Sequence, residues 1–286
     1  MEFYHVDVFS KEPLMGNGLS VVFVDTEIED SILLKIAQEF KQFETIFIYP
    51  KENGVYPARI FTVEEELDFA GHPVIGAAGV ISKREKDSSS KEVKLKIKNR
   101  ILTTNVETES NYYKVSMNQG PATFISSLGI SDINEIIRSL NLCTEEISKD
   151  YPIEVVSTGL KYLLLPVKDQ ASLAKARIVV SNFEEQLDRV GAKFVYIFEP
   201  QTLECRTWDN MGQVEDVATG SAAGPLCAYL VKNNFKDKGE PIIIKQGSFT
   251  GRPSIIKTFV EEKTDNVNIE GDVSFFAKGD LMLPAF

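Results

Sequence analysis

Two short stretches hold residue types that could do chemistry: Glu66-Leu67-Asp68-Phe69-Ala70-Gly71-His72-Pro73-Val74-Ile75-Gly76-Ala77-Ala78, and Glu215-Asp216-Val217-Ala218-Thr219-Gly220-Ser221-Ala222-Ala223. Each joins an acidic turn to a helix start where small residues leave backbone N–H groups accessible. The first four N–H groups of a helix have no intrahelical partner, and the aligned peptide dipoles put partial positive charge there, so a carboxylate or an enolate oxygen is stabilised at that end. Gly220 lets a ligand approach closely, and Thr219 and Ser221 can cap the helix or contact the ligand. Taken singly, such a stretch reads as an ordinary N-cap. The plan is repeated, however, and each copy follows an Arg-x-aromatic strand, Arg59-Ile60-Phe61 and then Arg206-Thr207-Trp208. A third candidate is Glu44, within the β-branched and aromatic run Phe43 to Pro50. Period-two geometry puts it on the face of Ile46 and Ile48, where a carboxylate either meets water at the strand's end or is held for a purpose.

The elements that must position these groups also come in pairs. Tyr4 to Phe9 reads as a strand, Pro13 to Gly18 as a turn and Leu19 to Val24 as an apolar strand; Asp30-Ser31 then caps a helix running to about Phe40. A strand at Tyr56 to Thr62 leads to the first motif, whose helix is apolar all round as far as Ser82 and is therefore expected to be buried. Asp87-Ser88-Ser89-Ser90 reads as a surface loop, Val93 to Ile97 and Tyr112 to Met117 as strands, and Asn118-Gln119-Gly120-Pro121 as a linker. After a helix-rich insert, roughly Ile130 to Cys143, the second half retraces the first. Ser157 to Leu165 matches Gly16 to Val24, Asn182 to Val190 matches the early helix, and Phe194 to Pro200 matches Glu44 to Pro50. Phe194 stands where the first half has Glu44, so one copy alone holds the acid. Strands follow at Ile242 to Lys245, Ser254 to Phe259, Val267 to Glu270 and Leu281 to Leu283. This repeat spans a whole domain. Short strands around one apolar helix per half fit an α+β fold of two pseudo-symmetric domains, each a curved, mostly antiparallel sheet or barrel wrapped around its central helix. Both helix starts are then expected to face an inter-domain cleft, a common location for ligand sites.

Composition narrows the function classes. At 286 residues the chain is long enough for two domains with their own cores. No apolar run approaches the roughly 18 residues of a membrane helix, and the start Met1 to Asp7 lacks the regions of a signal peptide, so a cytoplasmic location is expected. Three scattered cysteines and two histidines argue against a disulfide framework and a metal centre. The net charge of −11 argues against nucleic-acid binding, although a small anionic substrate is compatible with it because a local field need not share the sign of the total. The lysines at 94, 96 and 98 alternate with Val93, Leu95 and Ile97 as the solvated face of a half-exposed strand. Gly16-Asn17-Gly18 lacks the third glycine and the following helix of a dinucleotide fingerprint, and no cofactor is expected.

Taken together, Val6-Asp7-Val8-Phe9 with Gly16-Asn17, Glu44-Thr45, Phe69 to Pro73, Glu215-Asp216 with Ala218 to Ala222, and Gly251-Arg252-Pro253-Ser254 resemble the PhzF family. These are phenazine-biosynthesis-like isomerases of the diaminopimelate epimerase fold. The resemblance implies a first domain of residues 1–119 that holds the general acid/base and a second of residues 120–286, with 281–286 packing back onto the first. It also implies a homodimer, an acid/base glutamate at Glu44, and a substrate site that includes His72, Asp216 and Ser221 together with the helix-start groups of Gly71, Thr219 and Gly220. One departure is Val217, where many relatives have proline.

Epimerases of this fold use a cysteine on each side of the substrate carbon. The matching positions here are Ala70 and Ala218 or Thr219, none of which can act as a thiolate base, and Cys227 lies inside the second apolar helix as core packing. A single carboxylate suits a different task, taking a proton from one carbon and redelivering it to another on the same face of a conjugated substrate. Glu44 is the expected shuttle, its pKa raised by its apolar face. His72 and Asp216 orient the substrate or act as secondary proton carriers, the alternative for His72 being a capping or core histidine. The resulting expectation is a cofactor-independent isomerase of a small anionic, unsaturated or cyclic carboxylic acid. The alternatives are an amino-acid or hydroxy-acid racemase or epimerase and a non-catalytic small-anion-binding protein.

Overall fold

Some strands of this chain, such as Arg100–Thr108 and Ser254–Val260, alternate buried and more exposed residues and so bury one face, whereas Asn17–Phe23, Glu44–Ile48 and Phe194–Glu199 are buried almost throughout. The computed structural model describes residues 1–85 and 90–283. The first half contains β1 (Glu2–Val8), β2 (Asn17–Phe23), α1 (Asp30–Phe40), β3 (Glu44–Ile48), β4 (Tyr56–Phe61), β5 (Glu66–Leu67), α2 (Gly71–Glu85), β6 (Ser90–Ile97), β7 (Arg100–Thr108) and β8 (Tyr113–Pro121). The second contains β9 (Thr123–Leu128), α3 (Asn134–Ser139), β10 (Ile153–Ser157), β11 (Lys161–Pro166), α4 (Gln170–Lys175), α5 (Phe183–Arg189), β12 (Phe194–Glu199), β13 (Glu204–Arg206), α6 (Gly220–Lys232), β14 (Ile242–Gln246), β15 (Ser254–Val260) and β16 (Asn266–Asp280). The chain forms two compact units, Met1–Asn118 with Glu270–Phe286 and Gln119–Ile269.

In the first unit the strands run in the order β1-β2-β3-β4-β6-β7-β8, and β16 neighbours both β8 and β1, which closes the ring. Most pairings are antiparallel. Strands β2 with β3 and β4 with β6 are parallel, each pair joined across a helix. Helix α1 buries Leu33, Ile36 and Ala37 against Val22, Phe47 and Phe61 on the outside of the sheet. Helix α2 is buried from Gly71 through Ser82, as its lack of a polar stripe requires. Gly76 permits its close fit, since a Cβ there would lie 2.4 Å from Leu19 Cδ2 and 2.9 Å from Val8 Cγ2.

The second unit repeats the scheme. Its strands run β16-β15-β14-β13-β12-β11-β10-β9, with β11 parallel to β12 and β13 parallel to β14, and α6 buried from Gly220 through Leu230. The insert and the outer helices α3, α4 and α5 cover the other sheet face through Ile136, Ile137, Leu173, Phe183 and Leu187. Among the described residues no helix is long and apolar enough to cross a membrane.

Several local expectations are corrected. Asn118 to Pro121 is the end of β8 rather than a linker. Gln119 is buried there, its Nε2 donating to the Gly220 carbonyl (3.1 Å) and its Oε1 accepting from Thr158 (2.9 Å), while Gly120 takes the positive φ. Asp30 begins α1 without capping it and accepts from Arg59 Nη1 at 2.8 Å. Leu281 to Leu283 is not a strand; β16 is the last one, and Leu281 packs with the α1 cluster. Strands β7, β9 and β10 were not expected. Of the expected loop, Asp87 to Ser89 lies outside the described residues and Ser90 opens β6.

The paired Arg-x-aromatic strands acquire a physical reason. Arg206 forks onto Glu215 (Nε to Oε1 2.8 Å, Nη2 to Oε2 2.7 Å), and its Nη1 donates to the carbonyls of Leu173, Ala174 and Ala176 at the end of α4. Arg59 forks in the same way onto Glu66, at 2.9 and 2.6 Å, but its third partner is the exposed Asp30. Both guanidinium groups lie over the aromatic two residues on, 5.1 Å from the Phe61 centroid and 4.7 Å from that of Trp208. Replacing Arg206 with Met leaves a mostly buried carboxylate and three carbonyls without their donor. It is expected to cost about 3–5 kcal/mol in urea unfolding, against a smaller loss for Arg59→Met, after which Glu66 keeps Lys98 at 3.1 Å and the exposed Asp30 reaches water.

Candidate active site

Glu44 opens β3 beside Leu19 of β2 and is 5% exposed, on the same face as the fully buried Ile46 and Ile48. His72 is the second residue of α2 and 4% exposed. The register of β3 and the start of α2 bring the two side chains together, with His72 Nε2 3.3 Å from Glu44 Oε2. Burial pushes the His72 pKa down to about 3, so the imidazole is neutral at ordinary pH and the contact is not an ion pair. Asn17 Nδ2 lies 3.5 Å from His72 Nδ1. With the Asn17 amide as donor, Nδ1 is the acceptor and the ring proton lies on Nε2, which is close to Glu44 Oε2 but outside hydrogen-bond geometry. Gly71 and His72 supply N–H groups in the first turn, and Pro73 supplies none. Asp68 is exposed.

In the second unit Asp216, Thr219 and Ser221 are buried and Gly220 opens α6. The Thr219 hydroxyl donates to Asp216 Oδ2. Gln246, at the end of β14, bonds to Asp216 O and to both Thr219 N and Oγ1. Ser221 Oγ shares a hydrogen bond of 2.8 Å with Tyr162 Oη. Tyr162 pairs in register with Phe194 just as Leu19 pairs with Glu44, so at this register the first unit brings a polar side chain to its helix start from β3 and the second from β11.

The residues expected from sequence thus lie where their motifs place them, and within the first unit Glu44 and His72 meet. Glu66 and Glu215, the acidic approach of each motif, are held by arginine. Asn17, Tyr162 and Gln246 were missed. Asn17 was legible as part of a turn, Tyr162 stood in an apolar run as one aromatic among many, and Gln246 lay one residue beyond the strand read from Ile242 to Lys245. Cys205 and Cys227 are buried, and burial pushes the Cys227 thiol up to about 11.

The neutral His72 has a consequence for stability. An unfolded histidine takes up a proton below about 6.5, whereas this one resists until about 3. Stability is therefore fully present above the unfolded pKa and is lost as pH falls between the two values, by up to about 1.4 kcal/mol per pH unit. Urea unfolding at a series of pH values is expected to show this slope in wild type and its loss in His72→Gln. With His5 the only other histidine, His5→Gln leaves one imidazole for ¹⁵N NMR. The expected spectrum is that of the neutral Nε2–H tautomer, and an imidazolium or Nδ1–H signal at pH 7 contradicts the geometry.

The family model described as phenazine biosynthesis-like protein (PhzC-PhzF) matches residues 6–279. Trans-2,3-dihydro-3-hydroxyanthranilate isomerase of Pseudomonas fluorescens is 29% identical over 97% of this chain and 98% of its own. Among solved structures, a predicted epimerase from Pseudomonas aeruginosa is 37% identical with a TM-score of 0.94, covering 99% of each chain. A probable proline racemase from Agrobacterium radiobacter, 12% identical with a TM-score of 0.65 and covering 99% of this chain and 93% of its own, shares the fold alone. The helix-centred sheets are those of the diaminopimelate epimerase-like fold. An isomerase by these likenesses, the chain belongs to the phenazine biosynthesis-like (PhzF) family.

Proposed function

We propose that this isomerase shifts a proton within a small anionic, unsaturated or cyclic carboxylic acid, without a cofactor, using Glu44 as its one general acid and base. The observation that carries the proposal is the buried Glu44 carboxylate held against a neutral imidazole in the first unit, with Phe194 at the corresponding place in the second. The Pseudomonas fluorescens relative is named for a substrate of this kind, a cyclic amino acid with conjugated double bonds.

In the proposed reaction the Glu44 carboxylate takes a proton from an sp³ carbon, and the electrons of that C–H bond move into the conjugated system as a dienolate. Glu44, now a carboxylic acid, returns the proton to another carbon of the same face, and the double bonds have shifted with no net change in atoms or charge. The Nε2–H of His72 donates to Glu44 or to the substrate without competing for the proton, because its pKa is too low for it to act as a base at neutral pH. The first-turn amides in each unit, of Gly71 and His72 in the first and of Gly220 and Ser221 in the second, are donors suited to a carboxylate or a developing enolate oxygen. Asp216 and Thr219 orient the polar substituents.

An epimerase reading draws on the name of the Pseudomonas aeruginosa structure. It needs a second base, and the helix starts offer Ala70, Ala218 and Thr219 where thiols would stand.

Both readings meet one test. Trans-2,3-dihydro-3-hydroxyanthranilate and related unsaturated acids are incubated in D₂O with wild type and with Glu44→Gln, and products are followed by NMR. The expected result is deuterium at a new carbon with wild type and a loss of roughly 10²- to 10⁴-fold in the variant. Deuterium at the original carbon with inversion favours the epimerase. Turnover surviving in Glu44→Gln removes Glu44 from the mechanism.

A further inference from the structure

Gln246 ends β14 and is buried, outside both helix-start motifs. Its carboxamide uses all the hydrogen-bonding capacity of such a group. Oε1 accepts from Tyr196 Oη (2.9 Å) and from the backbone N–H of Thr219 (3.1 Å). Nε2 donates to the backbone carbonyl of Asp216 (2.7 Å) and to Thr219 Oγ1 (3.0 Å). Two of these partners have fixed polarity, because a backbone N–H only donates and a backbone carbonyl only accepts. The amide can therefore sit one way round. That direction passes on to Thr219, whose Oγ1 accepts from Nε2 and whose own proton is given to Asp216 Oδ2.

The segment Glu215 to Thr219 contains neither proline nor glycine, so nothing in its own covalent structure fixes its path. Its first two residues are tied by the Arg206 fork on Glu215 and by the Asp216 N–H, which donates to the Thr207 carbonyl (3.1 Å), and the hold on the remainder up to Thr219 comes from the end of β14. The residue after Gln246 adds to it: Gly247 has φ +86°, and a Cβ there would lie 2.8 Å from the Val217 carbonyl oxygen and 2.3 Å from that of Arg252.

We propose that Gln246 is a positioning residue for the active site, fixing the Asp216 to Thr219 segment ahead of α6 and setting the direction of the Thr219 hydroxyl so that Asp216 Oδ2 is its acceptor. This rests on the reading of Asp216 and Thr219 as substrate-orienting groups. Gln246 itself touches no reacting atom. Its effect is the geometry and hydrogen-bond polarity of the two residues that orient the substrate.

The test compares wild type, Gln246→Met and Gln246→Glu by amide hydrogen exchange and by pH profiles of turnover of trans-2,3-dihydro-3-hydroxyanthranilate. Methionine removes every polar atom at nearly constant length. Glutamate keeps the acceptor and, when protonated, regains one donor. The Thr219 amide is expected to exchange roughly 10-fold faster or more in Gln246→Met, while Leu226 and Leu230 within α6 keep their protection. Turnover is expected to fall roughly 10- to 100-fold, in kcat more than in KM. Gln246→Glu is expected to recover activity as pH falls and Gln246→Met is not, a divergence that mere packing does not produce. Unchanged Thr219 exchange in Gln246→Met overturns the proposal whether or not turnover is observed, and so do parallel pH profiles for the two variants. If wild type turns over none of the acids tested while Thr219 loses protection in Gln246→Met, the positioning role stands and the isomerase substrate reading fails.

Discussion

A helix enclosed on every side has polar backbone groups to offer only at its ends. Helices α2 and α6 are enclosed in this way from Gly71 to Ser82 and from Gly220 to Leu230. Apart from the Ser221 carbonyl, whose i+4 residue is Pro225, their interior N–H and C=O groups can be satisfied within the helix, so the surrounding sheets can be apolar, and each buried Val, Ile or Leu adds about 1.5–3 kcal/mol. The first-turn N–H groups cannot be satisfied internally. Polar side chains therefore gather at the two helix starts, where His72 and Glu44 meet in one unit and Thr219, Ser221, Tyr162, Gln246 and Asp216 in the other. The candidate chemistry lies at the places in each core where polarity is unavoidable.

The two units solve this problem on the same scaffold with different side chains. A parallel strand pair flanks each helix start, β2 with β3 and β11 with β12. At equivalent registers the first unit has Leu19 beside Glu44, and the second has Tyr162 beside Phe194. The apolar and polar members have exchanged strands. A carboxylate against a neutral imidazole can move protons, whereas a phenol sharing a proton with a serine can only orient one at neutral pH. The two units share the backbone scheme but differ in these side chains, while the Arg–Glu forks behind each helix start are present in both.

The repeat made much of this legible from the sequence. Phe194 at the place of Glu44 singled out the acid, and the apolar helices after Gly71 and Gly220 announced their burial through the absence of any polar stripe. Partners that come from distant strands were not legible. Gln246 is 27 positions from Thr219, and no local pattern marks a glutamine at a strand end as the holder of a loop. Gln119 was misread for a related reason, since Asn-Gln-Gly-Pro has the composition of a turn, yet the side chain of Gln119 is tied to Thr158 and Gly220 and the strand runs through it. The forks of Arg59 and Arg206 were visible as repeated residues, but their purpose needed coordinates.

The path of β16 sets the order in which the barrel of the first unit can be completed. Its residues from Val273 to Asp280 pair with β1, and the second unit, Gln119–Ile269, lies in sequence between the two parts of the first. A nascent chain thus holds β1 through β8 as an open sheet with unpaired edges, and α2 stays incompletely covered, while Gln119 to Ile269 is still being made. The second unit is continuous in sequence and has all its partners first. During synthesis the half that holds Glu44 is the one that waits for its closing strand.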